Sequence, residues 1–484
     1  MVTGVGEGAR SYWVTGVVPA RGQIWGNWGV RDLVLGGGTI GVMLAATLMH
    51  MPVWVTLSVF GVGGGLFVVA RVGAAVGDPV GDRVSRWWPR WLAGVAGVND
   101  HSAGVPLLAG RVRTLEVGAT VDHPGVAMFE VRGAGGVPEW YTAMVFIDGA
   151  SRGHKDVGED ERLARQFGLF LNRVADQGLP VDQVDVVTRV CPDNLDAYQT
   201  ANEASWTGPV DAVRAVQSLV GEMRDDTACV SSWLVIRMPV RLLRSSEVTG
   251  ELVDVAVDAV DRVISLADVH GLEPRANATV RRVGAMLRNV YDPDEPLDDL
   301  TGITEVWDGV PAWRATRSGV VTDAWTHCVG VVDRDGWPWS PVHADWLTPV
   351  LVAPGNRTPV ILQVQYPLVP RVPAMVKARA ATVTARGTQY QNAQTGRVSM
   401  GDEADQETAA GMALESIRHG SAGVAPVVRV VVSGVDARSA RRAREDMKTR
   451  MLSAGFTSVS WCDKDHARQL ACVWPLGRGV RYPS

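Results

Sequence analysis

LVLGGGTIGVMLAATLMHMPVWVTLSVFGVGGGLFVVA, residues 33–70, contains no Asp, Glu, Lys or Arg. Two apolar segments, Leu33–Met49 and Val53–Ala70, flank His50-Met51-Pro52. Each is close to the lower limit of the roughly 17–25 residues that carry a helix across the hydrocarbon core. The link allows little beyond a tight reversal, so the stretch predicts two antiparallel membrane-spanning helices bounded by Leu33, Met49, Val53 and Ala70. A buried helical hairpin in a soluble core is the competing reading of the same pattern. A cleaved signal peptide fits less well, because a second apolar segment follows at once.

Outward from the hairpin, Arg21 and Arg31 precede the first segment, and Arg71, Arg83, Arg86 and Arg90 follow the second. Basic residues beside spans stay on the cytoplasmic side, which predicts a multi-pass membrane protein with both termini cytoplasmic and the hairpin tip outside. Trp25 and Trp28 before the hairpin, and Trp87, Trp88 and Trp91 after it, suit the headgroup layer. Ordinary core packing is the other use of such rings. Gly37, Gly41 and Gly64 are candidates for close helix packing, since small residues let backbones approach in lipid.

The chain has 484 residues, a formal net charge of −5 and 20% charged residues, a balance that gives no sign of direct nucleic-acid binding. Cys191, Cys229, Cys328, Cys462 and Cys472 are odd in number and form no CxxC pair. A disulfide framework or zinc site is not expected, and reduced cysteines in the cytosol fit better.

Met1–Arg31 is a Gly-rich tail, and residues 72–110 after the hairpin (32–71) are a membrane-proximal linker in which Pro89 interrupts any helix. From 111 the pattern becomes soluble α/β, with strands over Arg111–Thr120, Val126–Gly133, Trp140–Asp148, Val184–Val190 and Ala228–Val240. Helices are expected over Glu159–Gln177, Pro209–Asp225, Glu247–Val269 and Ala276–Val290. Residues 111–290 are read as one α/β domain, 291–312 as an Asp- and Pro-rich linker, and 313–484 as a second α/β domain. In the second, Trp313–Gly319, Ala324–Arg334, Leu347–Ala353, Thr358–Pro367 and Val427–Ser433 read as strands. The valine run of the last implies burial on both faces. Pro373–Ala385, Glu403–His419 and Ala437–Ala454 read as helices, the last ended by Gly455, and a short strand and helix close the chain.

Catalytic signals are weak. A phosphate-cradling loop needs Gly-Lys-Ser/Thr, and no Lys in the chain follows a Gly. Gly149-Ala150-Ser151-Arg152-Gly153 matches G-x-S-x-G after a strand, but the Gly- and charge-rich 154–160 intervene before the helix, so a connecting loop is the better reading. The nine histidines include no close pair. Asp333-Arg334-Asp335-Gly336 is a turn sequence more simply than an acidic cluster with Asp345. Trp337, Trp339 and Trp346 are candidates for a protein-binding surface, with core packing the blander reading. No catalytic, cofactor-binding or metal-ligating residue is assigned.

The last third carries a set of ordered motifs. A strand with Trp325 is followed by DGWP at 335–338 and Leu347–Val352, then by RTPVILQVQYPLVP at 357–370. A helix ends in Ser416-Ile417-Arg418-His419-Gly420, VVRVVVSGVD occupies 427–436, and PLGRGV closes the series at 475–480. Their order and spacing resemble the region that precedes the motor domain in the type IV secretion (conjugation) inner-membrane ATPase family. The likeness is to actinobacterial forms with an amino-terminal membrane hairpin and no motor, which Gly26-Asn27-Trp28 also fits. The resemblance implies a non-enzymatic, membrane-anchored scaffold of a conjugative-transfer apparatus, self-associating and docking a separate motor ATPase. The motor's hydrolytic residues cannot be carried over, because the motor motif is missing. A membrane component of the actinobacterial type VII secretion machine and a membrane-bound enzyme are the alternatives. The fold expected is therefore a membrane α-helical hairpin plus a cytoplasmic α/β region of two compact units.

Overall fold

The computed structural model describes residues 23–25 and 28–29 and most of the chain between 112 and 477, leaving out 148–156, 193–208, 219–227, 333–335, 338–345, 352–357, 395–410, 416–422 and several shorter stretches. The described residues fall into two compact units. One takes in 102–376 and 412–484; the other takes in 19–101 and 377–411. In the second unit, β1 (Gln23–Trp25) and β2 (Trp28–Gly29) pair antiparallel.

The first unit is built on one 13-stranded sheet. Its strands are β3 (Val112–Glu116), β4 (Ala127–Arg132), β5 (Pro138–Ile147), β6 (Gln183–Pro192), β7 (Ala228–Pro239) and β8 (Pro274–Arg275). They continue with β9 (Arg314–Ala315), β10 (Val320–Val321), β11 (Thr326–Val332), β12 (Val360–Val369), β13 (Gly423–Val424), β14 (Val427–Gly434) and β15 (Ser460–Trp461). The main path runs β3-β4-β5-β7-β6-β12-β14-β11-β10-β9, and every pairing along it is antiparallel.

This corrects the expected fold class. The alternation of strands and helices along the chain pointed to α/β units, but alternation does not force parallel crossovers. Neighbouring strands such as β3, β4 and β5 pair as a meander. Strands of the segments 111–290 and 313–484 share the sheet, because β6 pairs with β12 over eight residues from Val190↔Val360 to Gln183↔Pro367. Nor is Leu347–Ala353 a strand: Thr348–Leu351 is a helical turn. The membrane hairpin is corrected too, and with it the multi-pass location. No helix among the described residues is long and apolar enough to cross a membrane. The hairpin rested on 33–70 alone, and an uncharged run does not by itself say whether lipid or protein will cover it. That stretch, including Leu33, Met49, Val53, Ala70, Gly37, Gly41 and Gly64, lies outside the described residues.

Alternation along the strands builds two covered faces. Ala143, Val145 and Ile147 of β5, with Leu234, Ile236 and Met238 of β7, join one core cluster. Helices α1 (Val157–Asp176), α2 (Val240–Ser245) and α3 (Leu252–Val269) complete it through Phe170, Val174, Leu243, Val260 and Val263. Met144, Phe146, Trp233 and Val235 go to the other face, against Val283, Met286, Leu287 and Val290 of α4 (Val280–Tyr291).

The short helix Thr348–Leu351 is α5, the long helix Arg371–Gln394 is α6, and α7 (Ala437–Ser453) covers β14. Val428, Val430 and Val432 meet Ala440, Ala443, Met447 and Met451 of α7. All eight residues of β14 are buried. A central antiparallel strand covered on both faces thus satisfies the valine run that was expected to signal two-sided burial. Helix α7 opens with Asp436, whose carboxylate accepts from the Ser439 amide at 2.6 Å. It closes in a Schellman motif: Phe456 N–H bonds Met451 O, Gly455 N–H bonds Leu452 O, and Gly455 takes φ +92° at no steric cost. The last helix, α8 (His466–Leu470), leads into a segment lying on the sheet. There Trp140 Nε1 donates to Leu476 O at 2.9 Å and Thr142 Oγ1 to Pro475 O at 2.9 Å.

Candidate functional site

Five polar side chains with less than 5% exposure occupy alternate positions of central strands whose other residues are largely apolar: Gln183 and Asp185 on β6, Gln363 and Gln365 on β12, and Arg429 on β14. Period-two spacing puts each set on one face. Register then brings the sets together, because Gln183 stands opposite Arg237, Asp185 opposite Gln365, and Gln363 opposite Arg429. The result is a polar ladder across four strands, on the face that also carries Val187, Trp233, Val235, Ile361 and Val431.

The ladder joins a carboxyl and a guanidinium through amides. Arg429 Nη1 donates to Gln363 Oε1 at 3.1 Å and to Gln365 Oε1 at 3.3 Å. The same two glutamines turn their Nε2 groups toward Asp185 Oδ2, at 3.0 Å from Gln363 and 3.5 Å from Gln365. Gln183 Nε2 donates to Asp185 Oδ1 at 2.8 Å, and its Oε1 accepts from Arg237 Nη1 at 3.3 Å. Both amides therefore point their oxygens at the guanidinium and their nitrogens at the carboxylate, an arrangement that spreads the charges through hydrogen bonds. The carboxy-terminal segment covers the ladder. Arg429 Nε donates to Gln469 Oε1 at 3.2 Å, Gln469 Nε2 donates to Asp465 Oδ2 at 3.2 Å, and Gln363 Nε2 donates to Cys472 O at 2.8 Å.

Burial raises the Asp185 carboxyl to about 7, against the pull of the Gln183 amide, the Arg429 charge, and the Gln365 and Gln363 amides. Desolvation outweighs three amide donors and a cation because the carboxylate keeps no contact with water. Burial thus keeps the protonated form to higher pH than an ordinary carboxyl would.

A second buried cluster joins β11, β14 and the end of α4. His327 stands opposite Ser433. Its Nε2 lies 3.0 Å from Tyr291 O and its Nδ1 lies 2.8 Å from Ser433 Oγ. A carbonyl only accepts, so Nε2 carries the proton, Nδ1 accepts, and the Ser433 hydroxyl donates. Desolvation lowers the His327 pKa to about 4 against the Tyr291 carbonyl, so the ring is neutral. The arrangement has the parts of a base-activated hydroxyl. Yet His327 is wholly buried and Ser433 is 4% exposed, so the hydroxyl is spent on tying two strands to a helix end. His466 does similar work: its Nδ1 accepts from the Val329 amide at 2.9 Å, while Nε2 lies 3.5 Å from Asp463 Oδ1.

Of the residues singled out in sequence, Trp337 is 7% exposed and packs 5.7 Å from Phe456 and 6.2 Å from the half-buried Trp346. These rings belong to the core beside α7. Trp339, Ser151, Asp333, Asp335 and Asp345 lie outside the described residues. Among the described residues no group of three or more His, Cys, Asp or Glu is placed to hold a metal ion. Sequence reading missed the ladder. Its signal was Asp185, Gln363, Gln365 and Arg429 interrupting valine-rich strands at even spacing. No protein-family model matches the chain, and no curated protein matches it either.

Proposed function

We propose that the chain is a scaffold component of a bacterial conjugative-transfer, type IV secretion-like apparatus, and that it docks a motor ATPase carried on another chain. The observation that carries this reading is the convergence of the motifs. VILQVQYPLV forms β12 and VVRVVVSG forms β14, and the two are register neighbours. PLG at 475–477 belongs to the segment that lies on the same sheet, held by Trp140 and Thr142. The described parts of these three motifs therefore lie on one sheet. The polar groups there bond mainly to one another, in keeping with a rigid frame.

The test is native affinity purification of the full-length protein from its native host, followed by mass spectrometry. The expected result is co-purification of a P-loop ATPase and other secretion components at near-stoichiometric amounts, lost when residues 313–484 are deleted. Recovery of folded full-length protein without any such component would overturn the reading.

A further inference from the structure

Strands β6 and β7 pair without interruption from Gln183↔Arg237 to Pro192↔Ala228, and that register sets Cys191 directly opposite Cys229. Opposed residues of an antiparallel pair point to the same face, with Cα atoms about 4.5 or 5.5 Å apart according to the hydrogen-bonding phase. Both spacings fall inside the roughly 4.4–6.8 Å that a disulfide requires. The two thiols differ in access: Cys191 is 3% exposed, whereas Cys229 is exposed. Their neighbourhood is specific. Desolvation pushes the Cys191 thiol up to about 12; Arg189 draws it back, and the adjacent Cys229 and Asp294 add to the rise. Cys328 and Cys472 are occupied otherwise, their sulfurs turned to the carbonyls of Ser318 and Arg468.

We propose that Cys191 and Cys229 form a dithiol site that reacts with small-molecule disulfides and closes into a cross-strand disulfide. The exposed Cys229, as thiolate, attacks one sulfur of the reagent. The reagent's S–S bond breaks, one half leaves as a thiolate, and the other stays on Cys229 as a mixed disulfide. Cys191 then gives up its proton and attacks the Cys229 sulfur, expelling the second half. Overall the two protein thiols lose two protons and two electrons, and the reagent disulfide becomes two thiols. The high pKa of Cys191 makes closure the slow step, and the fixed register compensates by holding the attacking sulfur beside its target. Closing a long loop raises the melting temperature of the oxidised form.

The experiment uses the full-length reduced protein and oxidised glutathione at pH 8, with an acid quench, alkylation and peptide mapping. The expected result is a Cys191–Cys229 cross-linked peptide as the main product. It should form at least tenfold faster in the native protein than in guanidinium, with a melting temperature raised by several degrees. In Cys191→Ala the glutathione adduct should accumulate on Cys229; in Cys229→Ser, Cys191 should stay unmodified. Both variants are checked by circular dichroism, and the wild-type product stands as evidence without them. Three outcomes overturn the proposal: a persistent adduct on Cys229 without closure, no reaction at either cysteine, or cross-links spread equally over Cys328, Cys462 and Cys472.

Discussion

At the scale of the residue, Asp185 and Arg429 show why a buried polar group must be judged with its partners. Removing Arg429 leaves two glutamine oxygens without their shared donor and a carboxyl without its cation. Arg429→Met should therefore destabilise the protein by about 3–5 kcal/mol, read as a fall in denaturation midpoint. A midpoint unchanged within error would mean that the ladder contributes nothing. The titrations of Asp185 and His327 oppose each other. The Asp185 pKa is raised in the folded state to about 7 from 3.8, so its contribution is full below the unfolded value and is lost as pH rises toward 7. The His327 pKa is lowered to about 4 from 6.5, so its contribution is present above the unfolded value and is lost as pH falls toward 4. Hence the melting temperature of Asp185→Asn minus that of the wild type should climb from pH 4 to pH 7. The corresponding difference for His327→Gln should climb as pH falls from 6.5 to 4. Flat difference curves would show that neither group titrates as its burial demands.

At the scale of the element, α7 shows how one helix serves two surroundings. Its buried line of Ala440, Ala443, Met447 and Met451 meets the even-numbered valines of β14, while Leu452 is 48% exposed. Met447→Ala should cost about 2–5 kcal/mol, because the cavity sits between helix and sheet and neither can collapse into it. Leu452→Ala should change stability by no more than about 0.5 kcal/mol. Thermal denaturation of both variants checks the pair, and equal losses would deny the facing assigned to the helix. The carboxy-terminal segment is positioned as closely. Gly477 adopts φ +55°, and a Cβ there would lie 2.7 Å from Thr142 Cγ2 and 3.0 Å from Arg237 Cβ. Segment and sheet therefore approach as only a glycine permits.

At the scale of the whole molecule, the sheet draws strands from residues 112 through 461, so its first and last strands depend on one another through the central β6–β12 seam. Such long-range pairing suits a frame rather than a set of independent modules. Because no Lys follows a Gly anywhere in the chain, the phosphate-cradling motif is missing, and the purified protein should show no ATP turnover. The check is a phosphate-release assay across the size-exclusion peak. Activity that tracks the protein peak through further purification would contradict the scaffold reading.

Local pattern determined a good deal by itself. Alternation marked β5, helical spacing marked α1, and Gly455 marked the end of α7, because each is decided by neighbours a few residues away. The buried valines of β14 were legible for the same reason, since composition records desolvation. Strand direction and partnership were not. Whether β6 meets β12 depends on pairing between residues some 180 positions apart, and no local period encodes that choice. The same limit hid the candidate site. Asp185, Gln363, Gln365 and Arg429 are unremarkable polar residues in separate strands until register places them on one rung after another. Only the tertiary structure decides that two glutamine amides join Asp185 to Arg429, and that the carboxy-terminal segment lies over them.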